Sequence, residues 1–318
     1  MKILITGGAG FIGYHLASNL SLNNDNTIIC IDNLSDYYSV NLKLERLKLL
    51  KNKANVRFLN QDILNINFEK EFDDLDLIIH LAAQPGVRLP PNKNYLYVEN
   101  NIKTQLKLLE HVRTSNTKLI YASSSSVYGE RGKKVLKEND VNTFPVSMYG
   151  LSKKFCEEMS LNYKANYLLN SVGLRFFTVY GSWGRPDMAV FKFTEAIKNN
   201  QEIIIYNSGN LYRDFTHISD IVLGIRSIIG KLKMDQNSYN IYNIGRGKPI
   251  SVNQMLFTIE DKLKLKANVK YVEKKDEVKH TYACIENMNK EFSYFPKVDF
   301  KEGYDEFYDW YKYWKSDK

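Results

Sequence analysis

The stretch ITGGAGFIG, Ile5 to Gly13, constrains this chain more than any other. It follows the apolar run KILIT and places Gly7, Gly10 and Gly13 at the start of a helical pattern. Glycines spaced this way between a strand and a helix allow a tight turn and let backbone N–H groups approach a pyrophosphate, which a helix N-terminus favours electrostatically. A glycine triplet alone is a weak signal, but here it has its context. Asp32 closes the next strand 19 residues beyond Gly13. A carboxylate there accepts from adenosine ribose hydroxyls and repels a 2′-phosphate, so NAD is expected rather than NADP.

The rest of the chain is organised to suit such a site. KILIT, NTIICI, NVRFLN, DLIIHL, TKLIYA and NSVGLRF are short β-branched and aliphatic runs with helical patterns between them. The longest helical patterns are NKNYLYVENNIKTQLKLLEHVR and VSMYGLSKKFCEEMSLNYKAN. This alternation predicts a parallel sheet covered on both faces. Beyond about residue 178 the regularity fails: short strands such as EIIIY and YNIYNI lie among helices, and EGYDEFYDWYKYW reads as an amphipathic helix. The expected division is a nucleotide-binding domain over 1–178 and a smaller lobe over 179–318, with some segments returning to the sheet.

The net charge of +8 raises nucleic-acid binding as a function. The lysines are spread along the chain, however, and the densest run, Lys43 to Lys53, has Leu44, Leu47 and Leu50 at the spacing of a helix with one solvated face. No nucleic-acid partner is expected; a polyanionic small substrate accounts for the charge. Three distant cysteines without a C-x-x-C, and histidines without ligand spacing, predict neither a disulfide framework nor a metal site. No apolar run approaches the ~20 residues of a membrane span, and the N-terminus lacks a signal-peptide layout, so a cytoplasmic protein is expected.

Two further stretches carry chemistry. YGLSK supplies Tyr149 and Lys153, four residues apart and so on one helical face. A lysine cation beside a phenol stabilises the phenolate and suits the tyrosine to general-base work. YASSSSVYGE, Tyr121 to Glu130, ends an apolar strand in four hydroxyls. The carboxyl end of a sheet strand is where a doubly wound fold places its ligands.

With TGGAGFIG, LAAQ, SSSSVYG, YGLSK, RFFTVYG and RDFTHISD in this order, the chain resembles the extended short-chain dehydrogenase/reductase family, nucleotide-sugar branch, essentially from end to end. The resemblance implies a Rossmann-type doubly wound parallel sheet with a smaller carboxyl-terminal α/β lobe that grips a nucleoside diphosphate sugar. It implies transient oxidation of that sugar by enzyme-held NAD. Tyr149 would be the base, Lys153 its tuner and a ribose ligand, and Ser124 the hydroxyl that helps the proton transfer. The NAD site it implies runs over Gly7, Gly10, Phe11, Ile12, Gly13, Asp32, Asn33, Asp62, Ile63, Leu81, Ala82, Ala83, Gln84, Asn101, Ser123 and Phe176, together with Tyr149 and Lys153. A homodimer through a four-helix bundle of the two long helices is implied as well.

The serine stretch separates branches of that family. Sugar 4,6-dehydratases and uronate decarboxylases resemble S-T-D-E-V-Y-G and S-T-S-E-V-Y-G, with a glutamate before Val-Tyr-Gly; here that position is Ser126. An acid serves a further proton transfer after oxidation, whereas a 4-epimerisation removes a hydride and returns it to the other face. An epimerase is therefore expected. TVYGSWGRPDMA is similar to the corresponding string of UDP-glucuronate 4-epimerases and carries Thr178 and Arg185. An arginine fork binds a carboxylate bidentately, and Ser125, Ser126 and Thr178 can add hydroxyl donors. Arg88 in QPGVRLP is a second candidate for the sugar pocket. The resemblance extends the substrate site to Ala189, Val190, Lys192, Tyr206, Arg213 (on the pyrophosphate) and Glu277.

KDEVKHTYAC departs from those epimerases' usual P-G-D-V-x-x-T-Y-A-D, with Asp276, Glu277 and Cys284 replacing glycine, aspartate and the last acid. Three other readings stay open: a 4-epimerase of neutral or N-acetylated UDP-hexoses, a UDP-glucuronate decarboxylase, and a module that senses NAD or a nucleotide sugar without turnover.

Overall fold

The computed structural model describes residues 1–318 except 73, 141–142, 232–240, 275–277 and 317–318. Six strands follow the apolar runs: β1 (Lys2–Thr6), β2 (Thr27–Asp32), β3 (Val56–Asn60), β4 (Leu77–His80), β5 (Lys118–Ser124) and β6 (Ser171–Phe176). With the strand Ile241–Ile244 at one edge, they form a seven-stranded sheet in the order Ile241–Ile244, β6, β5, β4, β1, β2, β3. The order reverses between β4 and β1, the switch point of a doubly wound sheet. Central strands are buried on both faces, so Ile3, Leu4, Ile5, Leu77, Ile78 and Ile79 form continuous apolar runs rather than alternating ones.

Register brings the loops together. Thr6 stands opposite His80, and His80 opposite Tyr121, along parallel pairs. Gly7 and Leu81, which follow β1 and β4, therefore leave the sheet at one edge, beside Ala122 of β5.

The chain divides into two compact units. One comprises 1–129, 142–175 and 232–242; the other comprises 130–141, 176–231 and 243–318. The second unit holds three two-stranded pairs. Thr178–Tyr180 pairs with Phe215–His217, Tyr212–Arg213 with Ile250–Ser251, and Glu202–Tyr206 with Asn268–Val272. The helix Phe300–Ser316 buries Phe300, Tyr304, Phe307, Tyr311 and Trp314, at the spacing expected of an amphipathic helix. Phe191 meets four rings of this helix edge-on.

The basic run does not present the expected face. In the helix Val40–Lys51, Leu42, Leu47 and Leu50 are buried along with Lys43 and Arg46, while Leu44 is exposed. The two cations have partners that make burial tolerable. Lys43 Nζ donates to the carbonyl and hydroxyl of Ser35, and Arg46 donates to Ala9 O at 2.9 Å and to the Tyr38 hydroxyl at 2.8 Å.

Candidate active site

The helix α1 (Phe11–Leu20) opens at Gly10 without a side-chain cap and with no acid in its first turn. Its first N–H groups are left for an anionic ligand. Gly7 has φ +70°, and a Cβ there would lie 2.8 Å from Ala82 N; a Cβ on Gly13 would lie 2.1 Å from Gly7 O. The turn therefore sits flush against β4 and α1 and leaves its outer side to a ligand. Asp32 ends β2 buried, accepting from Ala9 N at 3.2 Å and Leu34 N at 2.9 Å, with Lys43 Nζ 3.9 Å away. Each carboxylate oxygen keeps a lone pair for a hydroxyl donor. Donor turn, uncapped helix and acceptor carboxylate together fit a dinucleotide.

Around that turn, Phe11 is buried and Ile12 half-buried. Exposed Asn33 donates to Asp62 Oδ2 at 2.9 Å, and Asp62 also caps the short helix that begins at Ile63. Ile63 belongs to the apolar core beneath the sheet. Leu81, Ala82 and Ala83 line the edge half-buried. Gln84 N donates to Asn101 Oδ1 at 2.7 Å, and Asn101 Nδ2 donates to Ser152 Oγ at 2.9 Å. Asn101 lies in a π-helical turn, Val98–Lys103, inside what the sequence presents as one continuous helix. That wide turn sets Asn101 between the Gln84 loop and the helix Met148–Tyr167.

This helix starts at Ser147, whose hydroxyl accepts from Gly150 N. It carries Tyr149, half-buried, and Lys153, buried with Nζ donating to Ala122 O at 2.9 Å. The serine stretch leaves β5 in a single 3₁₀ turn, Ser125–Tyr128, capped by Ser124, whose Oγ accepts from Ser126 N and lies 3.1 Å from Ser126 Oγ. The turn packs directly on the helix beside Tyr149, since a Cβ on Gly150 would lie 2.6 Å from Ser126 O. Ser125 and Ser126 remain half-exposed. The Ser123 hydroxyl donates to Glu157 Oε1 at 2.5 Å. Ser123–Ser126, Tyr149 and Lys153 thus offer hydroxyls and one ammonium.

His80 escaped the sequence reading. Thr6 Oγ1 accepts from Ala82 N at 3.2 Å and donates to His80 Nδ1 at 2.7 Å; Thr104 Oγ1, which donates to Asn100 O, faces Nε2 at 3.5 Å. The network assigns a neutral imidazole protonated on Nε2. Burial, with the Lys153 cation second, pushes its pKa down to about 3.

In the second unit, Thr178 N donates to Asp214 O at 3.0 Å. Arg185 places Nε 2.9 Å and Nη2 2.5 Å from the two oxygens of Asp187, so its fork already holds a carboxylate of its own chain. Met188 N closes the turn onto Arg185 O. Arg213 Nη1 donates to Tyr212 O. Beside it, the buried carboxylate of Asp214, another residue that sequence reading passed over, accepts from Arg246 N, Gly247 N, Ala283 N and Thr216 Oγ1. Burial raises its pKa, against those hydrogen bonds. Phe176 and Val190 are buried, Ala189 and Tyr206 half-buried, and Lys192 exposed; Arg88, in the first unit, is exposed. Glu277, with Asp276, lies outside the described residues.

Residues 3–245 match the NAD dependent epimerase/dehydratase family. Protein CapI of Staphylococcus aureus is 41% identical over 99% of this chain and 100% of its own length. The UDP-glucuronic acid 4-epimerase of Bacillus cereus, solved with UDP-glucuronic acid and NAD, superposes with a TM-score of 0.93 at 32% identity, covering 99% of this chain and 100% of that one. The UDP-N-acetylglucosamine 4-epimerase of Methanobrevibacter ruminantium M1, solved with UDP-N-acetylmuramic acid, gives 0.86 at 33% identity over 98% of each chain.

Proposed function

The chain belongs to the NAD-dependent epimerase/dehydratase family, and on that premise we propose that it interconverts UDP-glucuronate and UDP-galacturonate. It is an NAD-dependent UDP-sugar 4-epimerase. Bound NAD would supply reversible hydride acceptance at carbon 4 of the sugar, with return to the other face. Gly7, Gly10 and Gly13 with the α1 N-terminus would hold its pyrophosphate, and Asp32 its adenosine ribose. Tyr149 takes the proton of the 4-hydroxyl and later gives it back, Lys153 supplies the cation that stabilises the phenolate, and Ser124 relays through its hydroxyl.

The observation that carries the reading is the 3₁₀ turn beside Tyr149, which presents Ser124, Ser125 and Ser126 and no carboxylate. Elimination or decarboxylation needs a further proton donor there; returning a hydride does not. The uronate is favoured by the likeness to the Bacillus cereus enzyme and by Arg185. Its fork would pass from Asp187 to the sugar carboxylate, with Thr178 as a hydroxyl partner. The rival substrate class is the N-acetylated UDP-hexoses, which the Methanobrevibacter likeness supports.

We further propose a homodimer. The helices that bear Asn101 and Tyr149 leave Tyr95, Val98 and Leu106, and Met148, Leu151, Phe155 and Leu161, exposed. Such side chains at helical spacing suit a four-helix bundle between two copies.

The test is incubation of the purified protein, without added NAD, with UDP-glucuronate, UDP-glucose and UDP-N-acetylglucosamine separately, followed by product analysis. The reading expects UDP-galacturonate from the first at a kcat/KM at least about tenfold above the others. A preference for either neutral sugar would refute the uronate assignment.

A further inference from the structure

The geometry points to the buried Glu157–Arg175 ion pair as a brace that positions the serine turn against Tyr149. This rests on the reading above in taking Ser124 and Tyr149 as the proton-handling pair. Tyr149, Lys153 and Glu157 follow one another at four-residue intervals along one face of the helix Met148–Tyr167. Glu157 is wholly buried, and Arg175, on β6, meets it in a fork with Nε and Nη2 each 2.8 Å from a carboxylate oxygen. Lys154 Nζ lies 3.9 Å from Oε2.

The pair reaches both ends of the turn. At the entry, Ser123 donates to Glu157 Oε1 at 2.5 Å. At the exit, the Arg175 guanidinium lies over the Tyr128 ring, 4.7 Å from its centre, and Tyr128 is fully buried. Between these points the turn touches the catalytic helix at Gly150 and Ser126. Gly129, with φ +68°, ends it against Phe144 O, where a Cβ would lie 1.9 Å away. Ser124 is thus suspended between two anchored neighbours, and its position relative to Tyr149 follows from the ion pair.

Stability alone is a poor reason for such a pair. Two charges taken out of water recover little more than their desolvation cost, and apolar side chains of similar volume commonly serve a core as well. What apolar chains cannot do is hold a hydroxyl and a ring at fixed directions at once. A guanidinium fork locked to a carboxylate does so, because both groups are planar and their hydrogen bonds are directional. Glu157, Arg175 and Ser123 are accordingly positioning residues.

Two variants of the holoenzyme test this. Glu157→Met/Arg175→Met removes both charges together and strands neither; Ser123→Ala removes only the entry contact. Each is measured for NAD content, for kcat and KM with the sugar the wild type uses, and for amide hydrogen exchange over 124–129. The double variant should lose about 100-fold in kcat, the scale of a misplacement near 1 Å, with KM and NAD content within about threefold of wild type. Exchange over 124–129 should quicken about tenfold or more while that over 153–160 is unchanged. Ser123→Ala, which removes the hydroxyl bonded to Glu157, should lose about tenfold in kcat and quicken exchange over 124–129 in the same way. A folded double variant with wild-type kcat and exchange would overturn the proposal. Were the double variant not to fold, unchanged kcat and exchange in Ser123→Ala would overturn it equally. A wild type that turns over no UDP-sugar would refute the proposed function instead, and the exchange measurement would still decide the brace.

Discussion

Replacing Gly13 by alanine probes the cofactor turn at its tightest point. The new Cβ would stand 2.1 Å from Gly7 O, 2.9 Å from Gly7 C and 3.0 Å from Gly8 Cα. All three are backbone atoms, so no side chain can swing aside. Ordinary contact requires the Gly7 carbonyl to retreat by more than about 1 Å. That carbonyl accepts from Gly10 N at 2.9 Å, and its residue lies against Ala82 at φ +70°. The retreat would move the N–H groups that face the pyrophosphate. Overpacking of this kind costs ~1–3 kcal/mol, a fall of roughly 1–5 °C in Tm for a chain of this size. NAD affinity should drop at least about tenfold, 1.4 kcal/mol. The assays are calorimetric melting and isothermal titration of NAD into stripped protein. Gly230→Ala, where a Cβ meets nothing within 4 Å, is the control and should be neutral or slightly stabilising. A Gly13→Ala protein that binds NAD like the wild type would refute the account of the turn.

Other substitutions test separate parts of the site. Tyr149→Phe should lower kcat by about 10²–10⁴-fold with nucleotide-sugar binding nearly intact; wild-type turnover would remove the base from the mechanism. Arg185→Ala should weaken UDP-glucuronate by about 2 kcal/mol and leave UDP-glucose unchanged, whereas Asp187→Asn, which releases the fork, should tighten UDP-glucuronate; equal losses for both sugars would show that Arg185 does not read the carboxylate. His80, with its folded pKa pushed down to about 3, stays neutral while an unfolded histidine takes a proton near 6.5. Stability should therefore fall by up to ~1.4 kcal/mol per pH unit from this group as pH drops from 6.5 towards 3, and His80→Asn should flatten the denaturant-midpoint curve across that window; parallel curves would contradict the network.

The sheet was legible because central parallel strands buried on both faces are written as short apolar runs, as in β1, β2 and β4, while the edge strand β3, with Arg57 and Asn60, is only partly buried. The turn around Gly7 and the carboxylate of Asp32 were legible for a local reason: they sit at fixed offsets from a strand. Lys43 and Arg46 were not, because a cation on an amphipathic helix reads as solvated unless its partners are known, and Ser35, Ala9 and Tyr38 come from the loops beside it. The π turn at Val98–Lys103 leaves the helical spacing of apolar residues almost unaltered, so nothing in the pattern marks it. Glu157 and Arg175 lie on a helix and a strand, and their pairing depends on how the two pack. Asp187 was open to inspection: an acid two residues beyond an arginine, across a proline, can turn back onto the guanidinium, as it does here.

In a 4-epimerisation by transient oxidation, one hydrogen leaves carbon 4 of the UDP-sugar and the same hydrogen returns to it. The most direct measurement supplies UDP-glucuronate deuterated at carbon 4 to the purified protein in ordinary water and follows the product by mass spectrometry and NMR. The account predicts UDP-galacturonate that keeps deuterium at carbon 4. Product with solvent hydrogen at that carbon would contradict it, because inversion would then have proceeded by loss and regain of a proton.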